Sequence, residues 1–125
     1  MRSIYLLFFL SLSILSACKK GSGEQTLGID IQSAFNQDKV QVFIDGQEML
    51  NQRLQTNWVL GVCMPDGQII TTKSQGGHEI KVIVNDIVTR TDNFSLNNPL
   101  YIGVIFNPQT NAISFVYSGQ RFIYD

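Results

Sequence analysis

The chain has 125 residues, 44% hydrophobic and 15% charged, with nine Lys and Arg against ten Asp and Glu and a net charge of −1. That length suits one domain with a genuine core, and a near-neutral balance without a basic cluster gives nucleic-acid binding no support. One histidine and two cysteines supply too few ligands for a structural metal site.

Met1-Arg2-Ser3 is followed by the apolar run Ile4–Leu15 and the small residues Ser16 and Ala17, the layout of a secretory signal. A run of about a dozen residues is shorter than the roughly 18–20 needed to cross a bilayer as a helix. Residues 1–17 are therefore expected to be removed. Leu15-Ser16-Ala17-Cys18 resembles the lipobox of bacterial lipoproteins, a resemblance confined to residues 1–18 and departing from the pattern in its single n-region charge, Arg2. It implies cleavage before Cys18 and diacylglycerol on the Cys18 thiol. Each buried methylene contributes about 0.8 kcal/mol, so several acyl chains anchor stably where one is marginal. The implied location is the bacterial cell envelope, lipid-anchored in the outer membrane on its periplasmic or surface side.

Residues 18–26 read as the lipidated cysteine and a tether, because Lys19-Lys20-Gly21-Ser22-Gly23-Glu24-Gln25 has no apolar residue and two glycines. Two lysines, worth about 1 kcal/mol each beside an anionic surface, are too few for a polybasic site. Residues 27–125 form the single domain. Without Arg2 the mature chain keeps eight basic residues (nine less one) against ten acidic. With Cys18 committed to lipid, Cys63 has no intrachain partner. Its apolar surroundings, Trp58 to Met64, contain no charge to lower its pKa, so it reads as a buried small hydrophobe.

The domain is rich in Val, Ile, Phe, Tyr and Thr, punctuated by Gly, Asn, Asp and Pro, and sustains no helical periodicity beyond about two turns. Leu27–Ile31 is the first predicted strand, followed by a loop around Asn36-Gln37-Asp38. Lys39–Ile44 alternates and meets Asp45-Gly46, a hairpin signal because both residue types tolerate positive φ; the return strand is Gln47–Leu54. A two-residue turn sets Met49 opposite Val42, whereas a bulge at Gly46 sets Leu50 opposite Val40, and both registers remain open. Trp58–Met64 is apolar at both parities, which predicts a central strand covered on both sides.

Pro65-Asp66-Gly67 turns the chain into Gln68–Lys73, and Gln75-Gly76-Gly77 breaks it before His78–Asn85, whose alternation points Ile80, Val82 and Val84 inward. Ile87–Leu96, Leu100–Phe106, Ala112–Tyr117 and a short Arg121–Tyr124 complete the predicted strands. The prolines, at 65, 99 and 108, all fall between strands. Eight or nine strands predict an all-β, antiparallel β-sandwich, immunoglobulin-like or related, with a small closed β-barrel as the alternative. Val40-Gln41-Val42-Phe43-Ile44-Asp45-Gly46 and Gly76-Gly77-His78-Glu79-Ile80-Lys81-Val82-Ile83-Val84 resemble the paired pattern of bacterial extracytoplasmic immunoglobulin-like and prealbumin-like modules. That resemblance implies a fold and no chemistry.

His78 shares the parity of the inward residues and reads as a hydrogen-bonded histidine at the start of a core strand. A Cys63–His78 dyad needs an activated thiolate, which the apolar flanks of Cys63 oppose. Asp38, Asp45, Asp66, Asp86 and Asp92 sit beside predicted turns, where turn chemistry accounts for them. No phosphate-binding glycine loop or G-x-S-x-G turn is present, and no cofactor is implied. The aromatics Trp58, Tyr101, Tyr117 and Tyr124 are the candidate binding residues, as a flat platform for sugar rings or a protein partner. The expected function is a non-enzymatic binding or structural module, joined to the membrane through Cys18, with an envelope protein or glycan as partner. The alternatives are a carbohydrate-recognition module, or a small envelope enzyme or inhibitor of a cell-wall hydrolase.

Overall fold

The computed structural model describes residues 23–124, which form eight strands and no helix. They are β1 (Glu24–Ile31), β2 (Asn36–Ile44), β3 (Gln47–Gln55), β4 (Gln68–Ser74), β5 (Gly76–Val84), β6 (Val88–Leu96), β7 (Leu100–Asn107) and β8 (Ala112–Ser118). Two four-stranded sheets result, in the orders β4-β1-β7-β8 and β3-β2-β5-β6. This is an open all-β sandwich and not a closed barrel. Neighbouring strands are antiparallel except β1 and β7, which run parallel.

Alternation drives the packing, because successive side chains on a strand point to opposite faces. Leu27, Ile29 and Ile31 of β1 and Ile102, Val104 and Phe106 of β7 meet Val40, Val42 and Ile44 of β2 and Ile80, Val82 and Val84 of β5 in one core. Phe35, on the link from β1 to β2, is fully buried and stacks on Phe106 with ring centroids 5.7 Å apart. The two stretches that resemble extracytoplasmic modules, β2 and β5, are central neighbours in register Val42↔Val82.

Strand direction gives the sandwich two poles. At the near pole lie the start of β1, the Asp45-Gly46 hairpin turn, the β4–β5 link at Gln75 and the β6–β7 link at 97–99. At the far pole lie the 32–35 link, the long 56–67 crossover and the turns at 85–87 and 108–111. The poles are separated by the length of eight-residue β1, about 26 Å at a strand rise of roughly 3.3 Å.

Five expectations are corrected. Asn36-Gln37-Asp38 is not a loop but the start of β2, with Asn36 opposite Gln55, Asp38 opposite Leu54 and an irregularity at Gln37 between them. The first strand begins at Glu24, not Leu27, because Glu24, Gln25 and Thr26, within the expected tether, pair with Ser74, Lys73 and Thr72. Trp58–Met64 is not a strand. Its residues form a turn closed by a single Asn57↔Val62 bridge, followed by a second turn. Arg121–Tyr124 is extended but joins neither sheet. The β2–β3 register is neither of the two considered: Ile44↔Gln47 and Phe43↔Glu48 define a two-residue turn, and a bulge at Met49 then places Leu50 opposite Val42. Asp45 and Gly46, with φ of 51° and 80°, supply the positive angles that such a turn requires.

Candidate functional site

The four sequence-derived aromatics do not gather into one platform: Tyr101 and Tyr124 share one outer face, and Tyr117 and Trp58 lie elsewhere. Tyr101 lies on the outer face of β7, its ring over Gly28 of β1, where an added Cβ would come within 2.5 Å of Cδ1. Tyr124, in the C-terminal segment, reaches the same outer face. Its hydroxyl donates to Asp30 Oδ2 at 2.6 Å and accepts from Gln32 Nε2 at 3.0 Å. Asp30 is thereby buried, at 8% exposure, although it points away from the core. Tyr117 sits at the opposite edge of the sandwich, where its hydroxyl donates to Asp92 Oδ2 of β6 at 2.5 Å. Burial, reinforced by the neighbouring carboxylates, pushes the Tyr117 and Tyr124 phenols well above the ordinary value of 10.0. These two phenols serve as structural donors that tie chain segments together.

Trp58 differs from the three tyrosines. It is 64% exposed and followed by Val59 at 86%. The turn that holds them is built by Asn57, whose Oδ1 accepts from Val59 N at 3.0 Å and Leu60 N at 3.3 Å, and whose carbonyl accepts from Gly61 N at 2.7 Å. Gly61 closes the turn at φ +77°, a left-handed angle that favours glycine. Asn57 N then donates to Val62 O at 3.0 Å. Val62 and Cys63 turn inward and are buried, so the next outward apolar side chain is Met64, at 47% exposure. Four hydrogen bonds and the left-handed Gly61 thus fix an uncharged turn at the far pole.

Cys63 lies beneath this tip with Sγ 3.6 Å from both Thr56 Oγ1 and Gln32 O. Burial pushes its thiol up, against the Thr56 hydrogen bond that lowers it. A thiol so placed is a poor nucleophile.

At the near pole an open depression of about 450 Å³ is lined by Asp45, Gly77, His78, Glu79, Asn93, Phe94 and Ser95. It holds a charged pair, His78 and Asp45, that sequence reasoning missed. His78 Nδ1 donates to Asp45 Oδ2 and His78 Nε2 to the Ser74 carbonyl, both at 2.6 Å. Asp45 Oδ1 accepts from Glu79 N at 2.8 Å. The His78 side chain is 7% exposed and stacks on Phe94 at 5.8 Å. Two acceptors, one per ring nitrogen, favour the imidazolium: the Asp45 hydrogen bond first, then Ser74, raise the His78 pKa above 6.5. Burial works to raise the Asp45 carboxyl, but the bonds from His78 and Glu79 N outweigh it and hold it below 3.8.

Neither group is then equipped for proton transfer. A general base needs a free ring nitrogen and a general acid needs a raised carboxyl pKa, whereas His78 has spent both nitrogens and Asp45 stays ionised. His78 and Cys63 stand at opposite poles and do not meet. Among the described residues no three His, Cys, Asp or Glu side chains gather as metal ligands. Cys18, the expected lipidation site, lies outside the described residues. No protein family, curated protein or solved structure matches the chain.

Proposed function

We propose that the chain is a lipid-anchored protein of the bacterial envelope, held by acyl chains on Cys18, whose β-sandwich acts as a non-enzymatic binding or structural module. The observation that carries this reading is the short interval between anchor and domain: β1 starts at Glu24, six positions after Cys18. At no more than about 3.6 Å per residue, the chain holds the first strand within roughly 20 Å of the lipid. The internal saturation of His78 and Asp45 supports a role without catalysis. Substitution tests the anchor: Cys18→Ala should abolish labelling by a radioactive fatty acid and leave the precursor uncut. Continued labelling of that variant would overturn the reading.

Exposure of Trp58 favours a second reading, glycan recognition, since an exposed indole stacks on sugar rings. Its neighbours Val59, Leu60 and Met64 offer a sugar no side-chain hydrogen-bond donor, and the Asn57 side-chain oxygen is occupied by the turn. Chemical-shift or fluorescence titration with envelope glycans decides: saturable perturbation centred on Trp58 supports this reading, and none removes it.

A further inference from the structure

We infer that the Trp58-Val59 tip is a second point of membrane attachment, inserting into the interfacial layer of the bilayer while Cys18 holds the other pole. This inference takes the membrane from the proposed lipid anchor, and its occupant is a lipid surface. Four features point there. From Asn57 to Pro65 the chain carries no charge, and the charged neighbours Arg53 and Asp66 lie on the Met64 side, lining a depression with it, away from Trp58 and Val59. The outward side chains, Trp58, Val59 and Met64, combine an indole, which favours that boundary, with two aliphatic groups.

The tip is also small. A stable protein interface takes roughly 800 Å² from each partner, whereas three partly exposed side chains on a turn offer a few hundred Å² at most. Such an area is adequate for a contact made by a protein already confined to the surface, because tethering turns the second contact into an intramolecular event at high effective concentration. Finally, the turn is preorganised by Asn57 and Gly61, so ordering it costs little on insertion.

The geometry permits both contacts at once. With at most about 20 Å of chain between Cys18 and Glu24 and about 26 Å between the poles, the sandwich reaches the surface with its far pole when it lies along the membrane. The 56–67 crossover joins edge strands β3 and β4, so the long side beside these strands is the one that faces the lipid. Because the tip is uncharged, insertion should depend little on salt or on anionic lipid.

Trp58 is the single tryptophan of the sequence, so intrinsic fluorescence reads the tip directly. The mature chain 18–125 is coupled through the Cys18 thiol to a maleimide phospholipid in neutral phosphatidylcholine vesicles; buried Cys63 does not compete. The expected result is a blue shift of the emission, loss of most of it to lipids brominated in the upper acyl chain, and the same response in high salt. Val59→Asp should abolish the brominated-lipid quenching with an unchanged melting temperature, which separates insertion from folding. Emission that stays open to aqueous iodide and is untouched by brominated lipid overturns the inference. So does a blue shift produced only by glycan fragments or a protein partner without lipid. Chemical coupling does not depend on lipidation in the cell, so failure here is distinct from failure of the Cys18 assignment, which fatty-acid labelling reads separately.

Discussion

His78 and Asp45, 33 positions apart, meet at 2.6 Å where the turn between β2 and β3 closes against the first residues of strand β5. His78 also binds Ser74 at the end of β4, so one imidazolium joins the β2–β3 turn of one sheet to the edge strand of the other. Stability should follow its charge. The folded-state pKa of His78 is raised, so its contribution is fully present below pH 6.5 and is lost as pH rises through the folded value. Asp45, held below 3.8, contributes above that value and loses its share as pH falls through the lowered one. Between these limits the melting temperature should be at its highest. His78→Gln should lower it there and flatten its decline above about pH 6.5; an unchanged profile would show that the clamp does not hold the two sheets together.

Tyr117 and Asp92 tie the β8 edge to the β6 edge across the two sheets. A hydrogen bond to a charged acceptor is worth about 1.5–3 kcal/mol when buried. At 39% exposure of Tyr117, solvent reduces that to about 1 kcal/mol. A double-mutant cycle of Tyr117→Phe and Asp92→Asn in urea should return a coupling of that size, and additive effects would mean the contact is energetically idle. The raised phenol also loses stability as pH climbs past 10.0, so Tyr117→Phe should soften alkaline unfolding.

Gly67 and Gly77 provide a matched pair for backbone crowding. A Cβ on Gly67 would stand 2.6 Å from the Cys63 carbonyl oxygen and 2.7 Å from Cys63 Cβ. The backbone cannot retreat freely, because Gly67 N donates to Cys63 O and Gly67 O accepts from Ile31 N. Gly67→Ala should cost about 1–3 kcal/mol, while Gly77→Ala, with nothing within 4 Å of its Cβ, should stay within about 0.5 kcal/mol. Equal melting temperatures for the two variants would contradict the packing described for the crossover.

Cys63 should resist thiol reagents in the native protein and react fully once unfolded, because its sulfur is buried between Thr56 and Gln32. Fast native labelling would show that the crossover opens.

The sandwich was legible because its central strands β2 and β5 follow the period of two, with β5 the clearest: Ile80, Val82 and Val84 inward, Glu79 and Lys81 outward. The crossover was misread for a physical reason. A run apolar at both parities signals a doubly covered strand, yet Asn57 before it and Gly61 within it make a turn, and only Val62 and Cys63 go to the core. Gly61 within the apolar run was the available clue. Likewise the parity of His78 was readable, but Asp45 and Ser74 meet it through two different turns, a proximity that no local pattern encodes. At Gly28 and Gly103, inside β1 and β7, the structure brings in the Tyr101 ring and the Gln32 side chain, neighbours that belong to tertiary structure.

The most direct measurement is the intact mass of the protein extracted from bacterial membranes. A chain that begins at Cys18 and carries the added mass of several acyl groups on that residue is the expected result. A mature chain that begins elsewhere, or a Cys18 recovered as a free thiol, would contradict the lipid anchor and with it the membrane-bound role of the domain.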